Sequence, residues 1–232
     1  MKLLALDSST DVCSICIADG DQIVAEYVTK SKRTHTERIL PAIEFLFSHL
    51  DWKKEELTGL AVIHGPGSFT GLRISLSVVK GLAFALQLPV VAMNALEIAA
   101  RQVLEDGLIC PAMDARRGEI FTALFEKKSD EITPLLQPRS ARPQAWKEDL
   151  PPGPILFCGP GAALYRNELQ NHSGSRFLFT DFVLANTLAV TARAKFEKGE
   201  TISGQELRAA YLRPSDAETK GPRARKKLEH IS

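Results

Sequence analysis

The spacing of apolar positions changes several times along the first ninety residues. Leu3-Leu4-Ala5-Leu6 is a short unbroken apolar run that stops at Asp7-Ser8-Ser9-Thr10, and Val12-Cys13-Ser14-Ile15-Cys16-Ile17-Ala18 is a second. Runs of this length, bounded by turn-forming residues, predict two buried strands joined as a hairpin. Between about residues 34 and 50, Ile39, Leu40, Ile43, Leu46, Phe47 and Leu50 recur at helical spacing and predict an amphipathic helix. Leu60-Ala61-Val62-Ile63-His64 reads as a third strand. It runs into Gly65-Pro66-Gly67 and then a strongly apolar helical stretch over 71–86.

The same plan recurs. Ile109 to Gly118 repeats the apolar run, acid and turn, with Asp114 in the place of Asp7, and Glu119 to Phe125 supplies the second hairpin strand. Pro154 to Cys158 runs into Gly159-Pro160-Gly161 and a helical stretch, Ala162 to Leu169. Met93-Asn94-Ala95-Leu96 has its counterpart in Ala185-Asn186-Thr187-Leu188, and both asparagines are candidate helix N-caps. Three landmarks in one order predict two copies of an α/β unit, spanning 1–105 and 106–219. The copies are unequal. Where the first has its long helix, the second has Pro134, Pro138, Pro143, Pro151, Pro152 and Pro154, a density that blocks a long helix.

Composition adds limits rather than chemistry. The 232 residues are 44% hydrophobic and 25% charged, which excludes a mostly disordered chain. Gln87 and Pro89 break the longest apolar stretch, so no membrane span is expected. The opening Met1–Asp7 reaches a carboxylate too early for a secretion signal, and a cytoplasmic location is the expectation. The formal net charge of +1 conceals an asymmetry. Residues 220–232 carry five basic residues against Glu229, a net of +4, and leave an acidic body of 24 basic and 27 acidic residues. Such a tail is expected to be mobile. Cys13 and Cys16 have redox spacing, yet three residues apart on a strand they point to opposite faces, so they read as core thiols.

Two stretches are candidates for chemistry. Asp7 and Thr10, with Asp114 and Gly118 as a second wall, have the pattern of turns that bind phosphate or metal-bound nucleotide, and equally that of ordinary Asp/Ser turns. Gly65 to Arg73 offers glycines, Ser68 and Thr70 as caps and a helix start suited to an anion, but it is neither a Walker loop nor a nucleophile elbow. Arg73 suits a phosphate or an acid. None of the histidines makes an H-x-x-x-H metal pair, which leaves no zinc-peptidase chemistry. Along the helix after the glycine loop, Ser77, Gly81 and Ala85 form a small-residue stripe, and Leu72, Leu76, Val79, Leu82 and Phe84 make several of its sides apolar. This surface can belong to the chain's own core or to a partner's helices.

These motifs carry a resemblance. Leu4–Thr10, His35-Thr36-Glu37-Arg38-Ile39-Leu40-Pro41, Gly65–Ile74, Lys80-Gly81-Leu82-Ala83, Asp114–Glu119 and Tyr211-Leu212-Arg213-Pro214 resemble the TsaB (YeaZ) family, over residues 1 to about 214. Ser8 stands where that family often has Thr, and Ser75 where it often has Gly. The basic tail has no counterpart. The resemblance implies a duplicated actin/hexokinase/Hsp70-like (ASKHA, ribonuclease H-like) α/β fold with a reduced second half. It also implies a non-catalytic activating subunit for N6-threonylcarbamoyladenosine formation at tRNA position A37, acting with a TsaD-like paralogue and a TsaE-like ATPase and reaching tRNA indirectly. Ile39, Ile43, Leu46, Leu76, Val79 and Leu82 would then meet the paralogue, and the isolated chain would self-associate. Asp7, Thr10, Ser68, Asp114 and Gly118 would be vestigial nucleotide positions, with ATP·Mg at a subunit boundary the only cofactor left open. The rival expectation is a small ATP/Mg-dependent phosphotransferase of the same fold.

Overall fold

The computed structural model describes residues 1–30 and 37–213; His35, Thr36, Pro214 and the 220–232 tail lie outside the described residues. The first half consists of β1 (Lys2–Asp7), β2 (Val12–Asp19), β3 (Gln22–Lys30), α1 (Ile39–Leu50), β4 (Gly59–Gly65), α2 (Phe69–Leu86), β5 (Val90–Asn94) and α3 (Ala95–Gln102). The second consists of β6 (Gly107–Arg116), β7 (Glu119–Lys128), β8 (Glu131–Ala141), α4 (Pro143–Glu148), β9 (Ile155–Cys158), α5 (Pro160–Leu164), α6 (Arg166–Leu169), β10 (Arg176–Leu178) and α7 (Ala185–Glu197).

Each half forms one five-stranded sheet, ordered β3-β2-β1-β4-β5 and β8-β7-β6-β9-β10. The pairing is the same in both. β1 pairs antiparallel with β2, Asp7 opposite Ser14, and parallel with β4, Leu6 opposite Val62. β6 pairs antiparallel with β7, Asp114 opposite Ile120, and parallel with β9, Pro111 opposite Cys158. The duplicated unit read from the landmarks is therefore present strand for strand. The helices are where the copies differ. The six-residue α4, with Pro143 in its first turn, stands where the first half has the twelve-residue α1, and Pro134 and Pro138 sit in the edge strand β8. There the missing ladder donors cost nothing.

Asn94 caps α3 as expected, accepting from the backbone N–H of Leu96 at 2.8 Å. Asn186 does not cap α7. The helix begins at Ala185, two residues before the start an Asn186 cap would give, and the Asn186 Oδ1 accepts only from the neighbouring Thr187.

The two halves are interlocked by exchange of their last helices. α7, from the second half, packs on β1, β2, β4 and β5, and α3, from the first, packs on β6, β7 and β8. The Ala185 N–H at the start of α7 donates to Ser14 Oγ of β2 at 3.2 Å, and Lys127 of β7 donates to the Val103 carbonyl after α3. One core thus joins Leu4, Leu6, Ile63 and Leu72 to Leu184, Leu188 and Ala192, while a smaller core under the second sheet gathers Cys110, Leu124, Trp146 and Phe157. All four cysteines are free and buried. Burial pushes the thiols of Cys13 and Cys110 up to about 11 and that of Cys16 to about 12, far from a reactive thiolate.

One expectation needs qualifying and a second needs correction. α2 is long and apolar enough, by length and composition, to cross a membrane, although the run counted from Gly81 onward is broken. Here its inner side, Leu72, Leu76, Val79 and Ala83, lies on the sheet as a core helix does. Of the six residues expected to meet a partner, Ile39, Ile43, Leu46, Leu76 and Val79 are buried in the chain's own core, and Leu82 packs half-buried against it. The apolar stripe and the sheet-facing side of each helix coincide. The outward side of α1 instead carries Leu40 and Phe45, 53% and 54% exposed, and that of α2 carries Ser77, Gly81, Ala85 and Phe84, the last 73% exposed.

The exchanged helix yields a prediction. Leu188→Ala, in α7, should cost about 2–5 kcal/mol and lower one cooperative unfolding transition of the whole chain. Thermal denaturation followed by circular dichroism and tryptophan fluorescence checks this. Two separated transitions would contradict the shared core.

Candidate functional site

The first-half turn is built by backbone meeting backbone. β1 ends at Asp7, whose Oδ1 accepts from the Ser9 N–H at 2.8 Å. The Ser68 N–H donates to the Ser9 carbonyl at 2.7 Å, and the Ser8 hydroxyl donates to the Gly71 carbonyl at 2.9 Å. The start of α2 therefore sits directly on the β1–β2 turn. A side chain at Gly67 would overlap the backbone of Ser9, and one at Gly71 the Ser8 carbonyl, so both glycines are required by close approach. Ser68 Oγ accepts from the Gly71 N–H at 3.3 Å and caps α2. Thr10 lies outside this knot; its hydroxyl closes a local turn with Val12.

Asp7 is fully buried, and its Oδ2 has no hydrogen-bond partner among the described residues. Burial, only partly offset by Ser9, pushes its carboxyl up to about 6. Asp114 is engaged within its own half: Oδ1 accepts from the Arg116 N–H at 2.7 Å, Oδ2 pairs with the Arg116 guanidinium at 3.2 Å, and Tyr165 faces the same carboxylate. Gly118 occupies the exposed β6–β7 turn with φ +77°. The structure thus joins Asp7, through Ser9, to Ser68, and keeps Asp114 and Gly118 as a separate hairpin.

A C-terminal strap, 207–213, closes over the glycine loop. The Ala210 N–H donates to the His64 carbonyl at 2.8 Å. Tyr211 stacks on Phe69 with ring centroids 4.7 Å apart, the Arg73 guanidinium lies 3.8 Å from the centre of the Phe69 ring, and its Nε donates to the Tyr211 hydroxyl at 3.3 Å. Arg213 then pairs with Glu119 of the second half at 3.4 Å. Burial holds the half-covered His64 below its usual range. Sequence reasoning missed this strap. Tyr211-Leu212-Arg213 stood out as a motif, but nothing local ties it to residues 138 positions away.

These residues do not fit a nucleotide phosphate. The glycines that would admit one already face the Ser8 and Ser9 carbonyl oxygens, Arg73 is held by Phe69 and Tyr211, and Asp7 is sealed beneath the turn. Among the described residues no three His, Cys, Asp or Glu side chains group as metal ligands.

A duplicated five-stranded sheet of this order has the ASKHA-like α/β fold, here with the β1–β2 turn packed directly on the glycine loop. Residues 22–195 match the family model described as TsaD: tRNA N6-adenosine threonylcarbamoyltransferase. The chain is 31% identical over 223 residues to the Bacillus subtilis tRNA threonylcarbamoyladenosine biosynthesis protein TsaB, covering 95% of this chain and 97% of that one. YeaZ from Pseudomonas aeruginosa superposes with a TM-score of 0.79 at 26% identity, covering 91% of this chain and 99% of that one. Component A of the (R)-2-hydroxyglutaryl-CoA dehydratase of Acidaminococcus fermentans shares the fold, with a TM-score of 0.51 at 10% identity over 86% of this chain and 99% of that one. The chain belongs to the TsaB family.

Asp7 sets a pH dependence. Its carboxyl is higher in the folded chain, about 6, than the ordinary 3.8, so between these values the folded state holds a proton that the unfolded state has lost. Stability should fall by about 3 kcal/mol as pH rises from 4 to 6 and then level off. Asp7→Asn should remove that fall and leave the variant more stable than the parent at pH 7. Urea denaturation of both at pH 4, 5, 6 and 7 checks it, and parallel curves would contradict the buried-acid reading.

Proposed function

We propose that this chain is the accessory, non-catalytic subunit of the assembly that forms N6-threonylcarbamoyladenosine at tRNA position A37. It works in the cytoplasm, pairs with a TsaD-like paralogue and cooperates with a TsaE-like ATPase. Membership in the TsaB family supports the reaction, and the closed first-half turn supports the accessory role. The halves 1–105 and 106–219 act as two subdomains of one rigid support.

The observation that carries the reading is Gly81. It lies in the middle of α2, exposed, with nothing within 4 Å of where a Cβ would be. A glycine there costs the isolated chain about 1 kcal/mol relative to alanine. Among the described residues nothing needs that cost. A second helix does, because small residues let helix axes approach to about 8 Å. Ser77 and Ala85 extend the strip, with Phe84 and the exposed Leu40 and Phe45 of α1 as apolar flanks. The strip takes a helix pair of the paralogue, or of a second copy when the chain is alone.

Gly81→Leu should therefore leave the monomer folded and weaken pairing with the paralogue at least tenfold, whereas Gly81→Ala should raise the melting temperature by about 2–4 °C. Val79→Glu, in the core, should fail to fold. Calorimetric titration with the paralogue, alongside thermal melts, checks all three. Unchanged affinity for Gly81→Leu would remove the strip from the interface.

A further inference from the structure

A second surface lies on the other half of the chain, where the strands of the second sheet end. Phe157 in the core stacks on Phe177 at 5.4 Å, and Phe177 stacks on Phe179 at 5.6 Å. The ladder reaches the surface at Phe179, which is 47% exposed. The Arg166 guanidinium lies 5.8 and 5.4 Å from the centres of the two outer rings. Arg166 follows Tyr165, which faces Asp114, and Asp114 pairs with Arg116, whose side chain is 84% exposed. Arg116 and Arg117 both adopt positive φ in the β6–β7 turn. Three separate segments thus meet here: the exposed Phe179 ring, just after β10, has the Arg166 guanidinium beside it, and Tyr165, next in sequence, ties this end of α6 to the arginine-bearing β6–β7 turn through Asp114.

Neither the helix strip nor the closed turn uses this face. A ring held by stacking offers an unpaired base a platform worth about 1–3 kcal/mol per base, and arginines add phosphate contacts. The bases of a double helix are stacked inside, so such a platform suits a single-stranded loop.

We propose that Phe177, Phe179, Arg116, Arg117 and Arg166 form an RNA-contact face that takes an unpaired base of the substrate tRNA on Phe179 and the neighbouring phosphates on the arginines. This rests on the tRNA-modification reading and goes beyond it, since there tRNA is reached only through the partner.

Binding, rather than product, tests it. Fluorescence anisotropy with an unmodified tRNA transcript is measured on the full chain bound to its paralogue, at several salt concentrations. Arg116→Ala with Arg166→Ala should weaken binding at least tenfold and lower the log–log salt slope by about two. Phe179→Leu, which keeps apolar packing but loses the π face, should weaken it about fivefold or more with the slope unchanged. Lys195→Ala, at an exposed pair with Glu200 on α7, is the control and should change nothing. Affinity within twofold of the parent for both the arginine and the phenylalanine variants would overturn the proposal, as would an equal loss in the control or a face that binds protein but not RNA. Should product form equally well without this chain, the accessory reading fails, while the anisotropy still decides whether this face binds RNA.

Discussion

The structure depends on the close approach of the glycine loop to the β1–β2 turn. The Ser68 N–H reaches the Ser9 carbonyl at 2.7 Å only because Gly67 and Gly71 present no side chain to the backbone of Ser9 and Ser8. That one contact fixes the start of α2 against the sheet. It therefore decides which face of α2 is buried and which is left outward, and it fills the space beside Gly67 and Gly71 with the carbonyl oxygens of Ser9 and Ser8. The burial of Asp7 and the engagement of Arg73 by the C-terminal strap follow from the same geometry. A loop that looks built for an anion has become a structural joint.

The exchange of α3 and α7 makes the two halves mechanically one. Each sheet is covered by the other half's last helix, so a hinge between halves would have to expose the shared core around Leu184 and Leu188. The strap adds a second tie, from His64 and Phe69 on one half to Glu119 on the other. Nucleotide-driven closure needs halves that can move apart. A chain that has tied its halves and closed its turn is suited to present fixed surfaces, and its outward α1–α2 face is one of them.

Much of this was legible in the sequence, and what was not has a common cause. The duplicated strand order could be read because its landmarks, acid-ending strands and glycine–proline–glycine turns, are local. The shortened second half could be read from proline alone. The outward face of α2 could not, because Leu72, Leu76, Val79, Leu82 and Phe84 make it apolar on several sides, and periodicity cannot say which side meets the sheet. By resemblance the stripe on α1 belongs to a partner, with Ile43 and Leu46 in it, whereas that stripe is the inner face and both residues are core. Asn186 resembled Asn94 in its surroundings, yet two residues of register put it inside its helix. The helix exchange and the Phe69–Arg73–Tyr211 stack join residues far apart in sequence, and no local pattern encodes them.

Together these features describe two interlocked halves, a closed first-half turn and an outward small-residue face on α2. The most direct measurement is the yield of N6-threonylcarbamoyladenosine on an unmodified tRNA transcript, formed by the TsaD-like paralogue and the TsaE-like ATPase with and without this chain. The account predicts that product requires the chain. Equal yields in its absence would contradict it.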